Sequence, residues 1–226
     1  MNIIAKINIL AFCAIISTSV LANGGVQLDR TRVLMLDGKT KANYGVINNH
    51  KTPVLASSII TDIDGKASTK LTVSPPIFQI KPGKSHQGAI MVLESLPQDR
   101  ETAFWLVVKT VGVSTGKNSE QSTLQMAIGQ RIKVFYRPKG INEDTVIAAD
   151  KLKWSLTNKG VKVENASKLV MSIADIKLGD KVFEVSDMVL PMSSKEWAIN
   201  LPKNGSLTFS YMDEYGNQVR HPLKFN

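Results

Sequence analysis

The stretch TLQMAIGQRIKVFYRP, residues 123–138, alternates apolar and polar side chains as a β-strand with one apolar face does. The apolar positions, which only Gln130 interrupts, are Leu124, Met126, Ile128, Ile132, Val134 and Tyr136. About 13 residues at about 3.3 Å each span roughly 43 Å, more than twice the usual strand length. The residues alone leave two alternatives open. Either the strand bends and packs all of itself in its own domain, or its first half is available to another molecule.

The pattern around this stretch predicts an all-β fold in two parts. Runs rich in β-branched residues recur between turn residues, and about seven of them precede Pro138, as in a β-sandwich. One of these is VQLDRTRVLML, residues 26–36, which predicts a single strand. About eight further runs follow residue 145, with KVFEV (181–185) and DMVLPM (187–192) as separate strands. No sustained helical periodicity is present, so a second sandwich is predicted.

The first residues predict a secretory signal peptide. Lys6 precedes an apolar run over 7–21, and Val20 and Ala22 provide small-residue cleavage positions. The run is short for a membrane span, although a retained membrane anchor is the alternative. The segment RPKGINEDT, residues 137–145, contains Pro and Gly without alternation and predicts a hinge. We therefore expect a signal peptide at 1–22, domains at 23–138 and 146–226, a linker at 139–145, and no membrane insertion of the mature chain.

The composition argues against an enzyme, a cofactor and a metal site. Cys13, the only cysteine, lies in the predicted signal peptide, so the mature chain has no disulfide. The three histidines have no metal-ligand spacing, and no nucleotide-binding or nucleophile motif occurs. The formal charge of +9 is spread over many turns without a run of like charges. This pattern is typical of solvated turns and does not predict nucleic-acid binding.

Several motifs together resemble one known family. GVQLDRTRV (25–33), LTVSPPIFQIKPG (71–83), LPQDRET (96–102) and LQMAIGQRIKVFYRP (124–138) closely resemble the N-terminal domain of PapD-like periplasmic pilus-assembly chaperones. DMVLPM (187–192) and YMDEYGN (211–217) are similar to motifs of their C-terminal domain. The resemblance implies two Ig-like β-sandwich domains, set as an L with a cleft between them. It implies a non-enzymatic periplasmic protein that binds pilin subunits and passes them to an outer-membrane usher.

The resemblance also assigns roles along the long strand. Leu124, Met126 and Ile128 correspond to the donor segment, which completes the core of an unfinished pilin; the alternative is that they pack in their own sandwich. Arg32 and Lys133 match the pair that binds the pilin's C-terminal carboxylate. Alone, these two would be solvated strand cations. An exposed apolar donor segment would also favour self-association of the free protein.

Two further groups of residues follow from the resemblance. Glu101 and Arg137 match an interdomain salt-bridge network whose third member is usually an Asp; Glu214 stands there, with Asp213 beside it. The positions that match the usher-facing surface are Pro53, Leu55, Pro75 and Pro76. The rival function is a secreted Ig-like adhesin or ligand-binding module, in which loop residues would carry recognition.

Overall fold

The computed structural model describes residues 25–113, 126–202 and 205–225. The predicted signal peptide and Leu124 of the donor segment lie outside the described residues. Within these ranges the chain forms two β-sandwiches joined by a short helical connection. No helix there has both the length and the apolar character to cross a membrane.

Nine strands form the first sandwich within the described residues. They are β1 (Val26–Leu28), β2 (Arg32–Met35), β3 (Lys41–Asn48), β4 (Val54–Thr61), β5 (Leu71–Ser74), β6 (Ile77–Ile80), β7 (Ser85–Val92), β8 (Thr102–Gly112) and β9 (Ala127–Tyr136). One sheet has the order β1-β3-β7-β5, and the other has the order β2-β9-β8-β4-β6. Side chains that alternate inward from both sheets form the core, with Tyr44, Ile90 and Leu106 fully buried.

The prediction of one strand over residues 26–36 was wrong, because this segment changes sheets. β1 pairs antiparallel with β3, whereas β2 pairs in parallel with β9. The change occurs at Asp29, whose backbone N–H donates to the Gly45 carbonyl (3.0 Å) and whose carboxylate accepts from the Gly45 N–H (2.8 Å). This crossing places Arg32 directly beside Lys133.

In the second sandwich, the described part of the chain forms seven strands. They are β10 (Leu152–Thr157), β11 (Gly160–Asn165), β12 (Met171–Leu178), β13 (Lys181–Val189), β14 (Ser193–Trp197), β15 (Leu207–Met212) and β16 (Gln218–Pro222). The sheets have the orders β10-β11-β14 and β13-β12-β15-β16, around a core that contains Trp154 and Phe209. The two strands predicted at 181–185 and 187–192 are one strand, β13. Ser186 adopts a left-handed conformation (φ 48°) inside it, opposite an irregularity in β12, so the polar residue marks a bulge and not a turn.

A six-residue helix, α1 (Thr145–Asp150), connects the sandwiches. The Asp144 side chain caps its N-terminus by accepting a hydrogen bond from the Ile147 N–H at 2.8 Å. The sequence did not predict this helix, because six residues make fewer than two turns and show no periodicity.

The two domains meet through an apolar cluster of their own, separate from either core. Its buried members are Ala103 and Phe135 of the first domain and Val170 and Met188 of the second. Leu34, Trp105 and Leu190 pack against them. The outward face of the five-stranded sheet therefore contacts the second domain near β2 and β9, and the remaining space there forms a cleft.

Candidate functional site

The apolar face of β9 passes from the protein's own core into solvent. Val134 and Tyr136 are buried in the first core, and Ile132 packs against it. On the same face, Ile128 is 51% exposed and Met126, just before the strand, is 70% exposed. Part of the predicted donor segment is therefore not covered by its own sandwich.

Gln130, the residue that interrupts the alternation, marks this boundary. Its side-chain amide donates to the Val26 carbonyl at 2.7 Å. This bond joins β9 to the first strand of the facing sheet and closes that end of the core. The residues before Gln130 on this face therefore extend beyond the first sandwich.

The same part of β9 also has an open edge. β8 pairs with β9 along its whole length, from Ala127 to Tyr136, whereas β2 pairs with it only over 133–136. On that side, residues 127–132 have no strand partner within the described part of the chain. An unpaired strand edge beside exposed apolar side chains is the arrangement that accepts an added strand.

Arg32 and Lys133 lie side by side across the parallel pairing of β2 and β9. They are on the face opposite the core, at the cleft between the domains. The Arg32 guanidinium donates to the Asp213 carbonyl at 2.6 Å, and its Nε is buried without an acceptor. Neither residue forms an ion pair with a carboxylate anywhere in the described ranges.

The electrostatics of this pair favour an anion. Burial, and then the charge of Arg32, lower the pKa of Lys133 to about 8. Burial likewise lowers the pKa of the Arg32 guanidinium. Two adjacent, partly desolvated cations without a counter-charge bind a carboxylate well, since a guanidinium donates two parallel hydrogen bonds to it and an ammonium adds a point charge.

Both domains line the cleft beside this pair. A cavity of about 260 Å³ there is bordered by Trp105, Arg131 and Lys133 of the first domain and by Asp187 and Lys195 of the second. The Arg131 guanidinium lies over the Trp105 ring, 4.4 Å from its centre. Among the described residues that line this cavity, Asp187 is the single acidic one, so the cleft is predominantly cationic.

The buried Glu101 and Arg137 and the half-buried Glu214 form a network between the domains. The Arg137 guanidinium contacts a Glu101 oxygen at 3.1 Å and a Glu214 oxygen at 2.5 Å. The other Glu101 oxygen accepts from the Val170 N–H of the second domain at 2.9 Å. Burial raises the pKa of Glu101, and the charge of Arg137 opposes that rise. Asp213, beside Glu214, accepts from the Asn217 N–H (2.7 Å) and shapes its own turn.

One member of this region was missed from the sequence. Glu143, in the predicted linker, is buried; its carboxylate accepts from the Lys168 N–H at 2.7 Å and pairs with Lys151. Its backbone carbonyl also accepts from Arg137 at 3.4 Å. Nothing in the pattern NEDT indicates burial, because a loop carboxylate becomes buried only through the packing of distant segments.

The residues predicted to face the usher lie away from the cleft, at the β4–β6 side of the five-stranded sheet. Pro53 precedes β4, and its carbonyl accepts from the Val113 N–H at 3.0 Å. Leu55 is 41% exposed on the outward face of β4. Pro75 and Pro76 precede β6 after a cis Ser74–Pro75 bond, and the Pro76 carbonyl bonds to β4. Their role stays a prediction.

No three His, Cys, Asp or Glu side chains in the described ranges are arranged to hold a metal ion. The arrangement instead provides a strand edge, exposed apolar side chains and an anion-binding pair. These features are typical of a protein that binds another protein chain.

Comparison with known proteins assigns the family. Residues 25–142 match the family described as pili and flagellar-assembly chaperone, PapD N-terminal domain, and residues 147–223 match the PapD C-terminal domain. A probable fimbrial chaperone of Escherichia coli O157:H7, LpfB, is 33% identical over 82% of this chain and 80% of its own length. The Escherichia coli chaperone FocC is 30% identical over 88% of this chain and 91% of its own.

A solved structure agrees with these matches. The Salmonella enterica SafA pilin in complex with the SafB chaperone gives a TM-score of 0.76 at 25% identity, over 88% of this chain and 96% of that chain. The protein is thus of the pilus-assembly chaperone class. It belongs to the PapD family, which is periplasmic. The predicted family and the all-β two-domain fold are confirmed, and the matches favour a chaperone over the rival adhesin.

Proposed function

We propose that this protein is a periplasmic, non-enzymatic chaperone that binds pilin subunits by donating β9 and delivers them to an outer-membrane usher. The observation that carries the proposal is the exposed end of β9. Met126 and Ile128 continue the apolar face of the strand beyond its own core, beside an unpaired edge over 127–132. A pilin that lacks its last strand would take this segment into its own core.

Apolar burial would supply most of the binding free energy. Each large apolar side chain moved out of water contributes about 1.5–3 kcal/mol, before the ordering costs of association. The donor segment would contribute three such side chains, those of Leu124, Met126 and Ile128. Backbone pairing along the open edge adds little net free energy, but it satisfies the hydrogen-bonding groups of the partner strand.

Arg32 and Lys133 would bind the pilin's C-terminal carboxylate. A strand that pairs one residue out of register turns every side chain to the wrong face. A fixed anion position at one end of the added strand sets its register, even where a desolvated ion pair adds little net affinity. The buried, unpaired Nε of Arg32 supports this role, since it lacks an acceptor in the free protein.

The proposal also covers export of the protein, its interdomain geometry and its contact with the usher. Residues 1–22 would direct export and be removed, leaving domains at 23–138 and 146–226 and a linker at 139–145. The Glu101–Arg137–Glu214 network would fix the angle of the cleft. The usher would contact the surface around Pro53, Leu55, Pro75 and Pro76.

A matched pair of variants tests the role of β9. Met126→Glu places a charge on the exposed apolar face, whereas Ala127→Glu places the same charge one residue away, on the opposite face. Co-expressed with a pilin subunit that lacks its donor strand, Met126→Glu should lose co-purification, while Ala127→Glu should keep most of it. Both should melt within a few degrees of the wild type, because neither site lies in a core. Equal capture by both variants would refute donation through this face.

A further inference from the structure

The cleft contains a carboxylate of the protein itself, Asp187, close to the pair Arg32 and Lys133 that is proposed to bind the carboxylate of a partner. Asp187 of β13 borders the same cavity as Lys133. Its charge acts on Lys133, where it opposes the lowering of the pKa by burial and Arg32. Even so, Asp187 makes no ion pair with Lys133 within 4 Å; its salt bridge is to Lys195. An internal carboxylate so near an unpaired ammonium is a potential competitor for the incoming one.

The second domain holds Asp187 in its own framework. Lys195 Nζ contacts the two carboxylate oxygens at 2.8 and 2.7 Å. The Met188 N–H donates to one oxygen at 2.7 Å, and the Trp197 indole N–H donates to the other at 3.3 Å. Burial raises the pKa of Asp187, but these hydrogen bonds outweigh it and keep the pKa below its ordinary value. Asp187 is therefore ionised and turned toward β14.

We propose that Lys195 is a positioning residue, which holds Asp187 against the second domain so that Arg32 and Lys133 stay unpaired for the partner's carboxylate. Of the donors to Asp187 among the described residues, Lys195 is the only cationic one and the only one that contacts both oxygens. Without it, a mobile Asp187 would pair with Lys133, since an ion pair within one chain forms at high effective concentration. The inference rests on the proposed function of the anchor pair.

A double-mutant cycle on the free protein tests the inference without any pilin. The readout is the pKa of Lys133, followed by NMR of the lysine side chain. The charges of Arg32 (β2) and Asp187 (β13) act on Lys133, and two further cations, Arg131 (β9) and Lys195 (β14), line the same cavity. Lys195→Met should raise the Lys133 pKa by about one unit or more, because Asp187 then pairs with it. In an Asp187→Asn background, Lys195→Met should change the Lys133 pKa by only about a few tenths of a unit.

The cycle distinguishes the positioning of Asp187 by Lys195 from a direct effect of the Lys195 charge on Lys133. An equal rise in both backgrounds would mean that Lys195 acts on Lys133 through its own charge alone, and it would overturn the inference. No rise of the Lys133 pKa in either background would show that Asp187 stays in place without Lys195, and this result would also overturn the inference. Melting temperatures of the variants serve as the check on folding.

A second arm uses acetate as the carboxylate probe, with chloride at equal ionic strength as the control. Acetate should raise the Lys133 pKa in the wild type and in the Asp187→Asn/Lys195→Met double variant, but much less in Lys195→Met. An acetate response in Lys195→Met equal to that of the wild type would overturn the inference. If acetate had no effect on any variant while the cycle behaved as expected, the proposed anchor function would fail and the positioning of Asp187 would stand.

Discussion

Lys133 is a residue at which stability and the proposed binding of a carboxylate oppose each other. The ammonium is half-buried beside Arg32 without a carboxylate partner, and its pKa falls from 10.5 to about 8. Because the folded-state pKa is the lower one, the folded protein loses this proton at a lower pH than the unfolded chain does. The cost to folding is fully present below pH 8 and disappears as the pH rises from 8 to 10.5.

Lys133→Met should therefore stabilise the free protein in a pH-dependent way. The expected gain in the free energy of unfolding is about 1–2 kcal/mol near neutral pH, smaller than the full pKa shift implies because solvent partly screens the group. The gain should shrink toward zero as the pH approaches 10.5, the ordinary value. Urea unfolding at neutral and alkaline pH measures it. Lys109→Met, at an exposed position on the same face of the sheet, is the control. A gain in the free energy of unfolding of Lys133→Met that does not depend on pH would show that the charge of Lys133 is not its cause.

Arg137 holds two carboxylates that no other cation neutralises in the described ranges. Arg137→Met leaves Glu101 and Glu214 without their partner and should cost about 3–5 kcal/mol in the free energy of unfolding. Glu214→Gln should cost about 1 kcal/mol, because the Arg137–Glu101 pair remains.

Denaturant unfolding measures these costs, and Arg100→Met provides a surface control. Arg100 pairs with Asp99 at 3.2 Å in exposed positions, so its loss should change the free energy by less than about 0.5 kcal/mol. A cost for Arg137→Met no larger than that of Arg100→Met would show that the network adds nothing to stability.

At the scale of the element, the period-2 alternation was sufficient to predict strands. It located β9 and the side chains that face the core, because the pattern is set by burial on one face. It could not give the pairing of β2 with β9, since parallel neighbours come from segments about a hundred residues apart. The adjacency of Arg32 and Lys133 depends on that pairing and was available only through the family resemblance.

The errors at this scale have physical causes. The segment 26–36 was predicted as one strand because no Gly or Pro interrupts it, although the hydrogen bonds of Asp29 to Gly45 turn the chain into the other sheet. β13 was divided in two because Ser186 resembles a turn residue. Glu143 and the positioning contacts of Asp187 were missed, because each is created by tertiary packing.

The hairpin between β15 and β16 connects the second domain to the anchor pair. Its turn supplies the Asp213 carbonyl to Arg32 and the Glu214 carboxylate to Arg137. Gly216 has φ 91°, and a Cβ there would lie 2.8 Å from the Thr31 hydroxyl oxygen. The turn therefore approaches the first domain as closely as a glycine allows.

Gly216→Ala should displace this turn and weaken both contacts. We expect a loss of about 2–3 kcal/mol in the free energy of unfolding, from backbone strain and the clash together. Gly65→Ala is the matched control, because Gly65 has φ 89° with nothing within 4 Å of the added Cβ, so it reports the strain alone. Thermal or urea unfolding measures the difference. Equal losses for the two variants would show that contact with Thr31 does not limit this position.

At the scale of the whole molecule, the proposed binding mode requires both domains in a fixed relation. The first domain carries β9 and the anchor pair, while the second provides Asp187, Lys195 and the 213–217 turn. An apolar cluster and the buried ion-pair network hold these parts together. A domain motion would open the cleft without disturbing either core, so the proposed binding mode depends on the coupling between the domains.

Met188 tests that coupling, since it belongs to the interdomain cluster and to neither core. We expect the wild type to unfold in one calorimetric transition, because the interface makes the domains cooperative. Met188→Ala combined with Arg137→Met should separate this into two transitions and reduce pilin capture, with the donor segment unchanged. Met171→Ala, in the second core, is the control and should lower the stability of the second domain directly. If the double variant still unfolded in one transition and captured pilin as well as the wild type, the interface would not be what holds the cleft in its binding geometry.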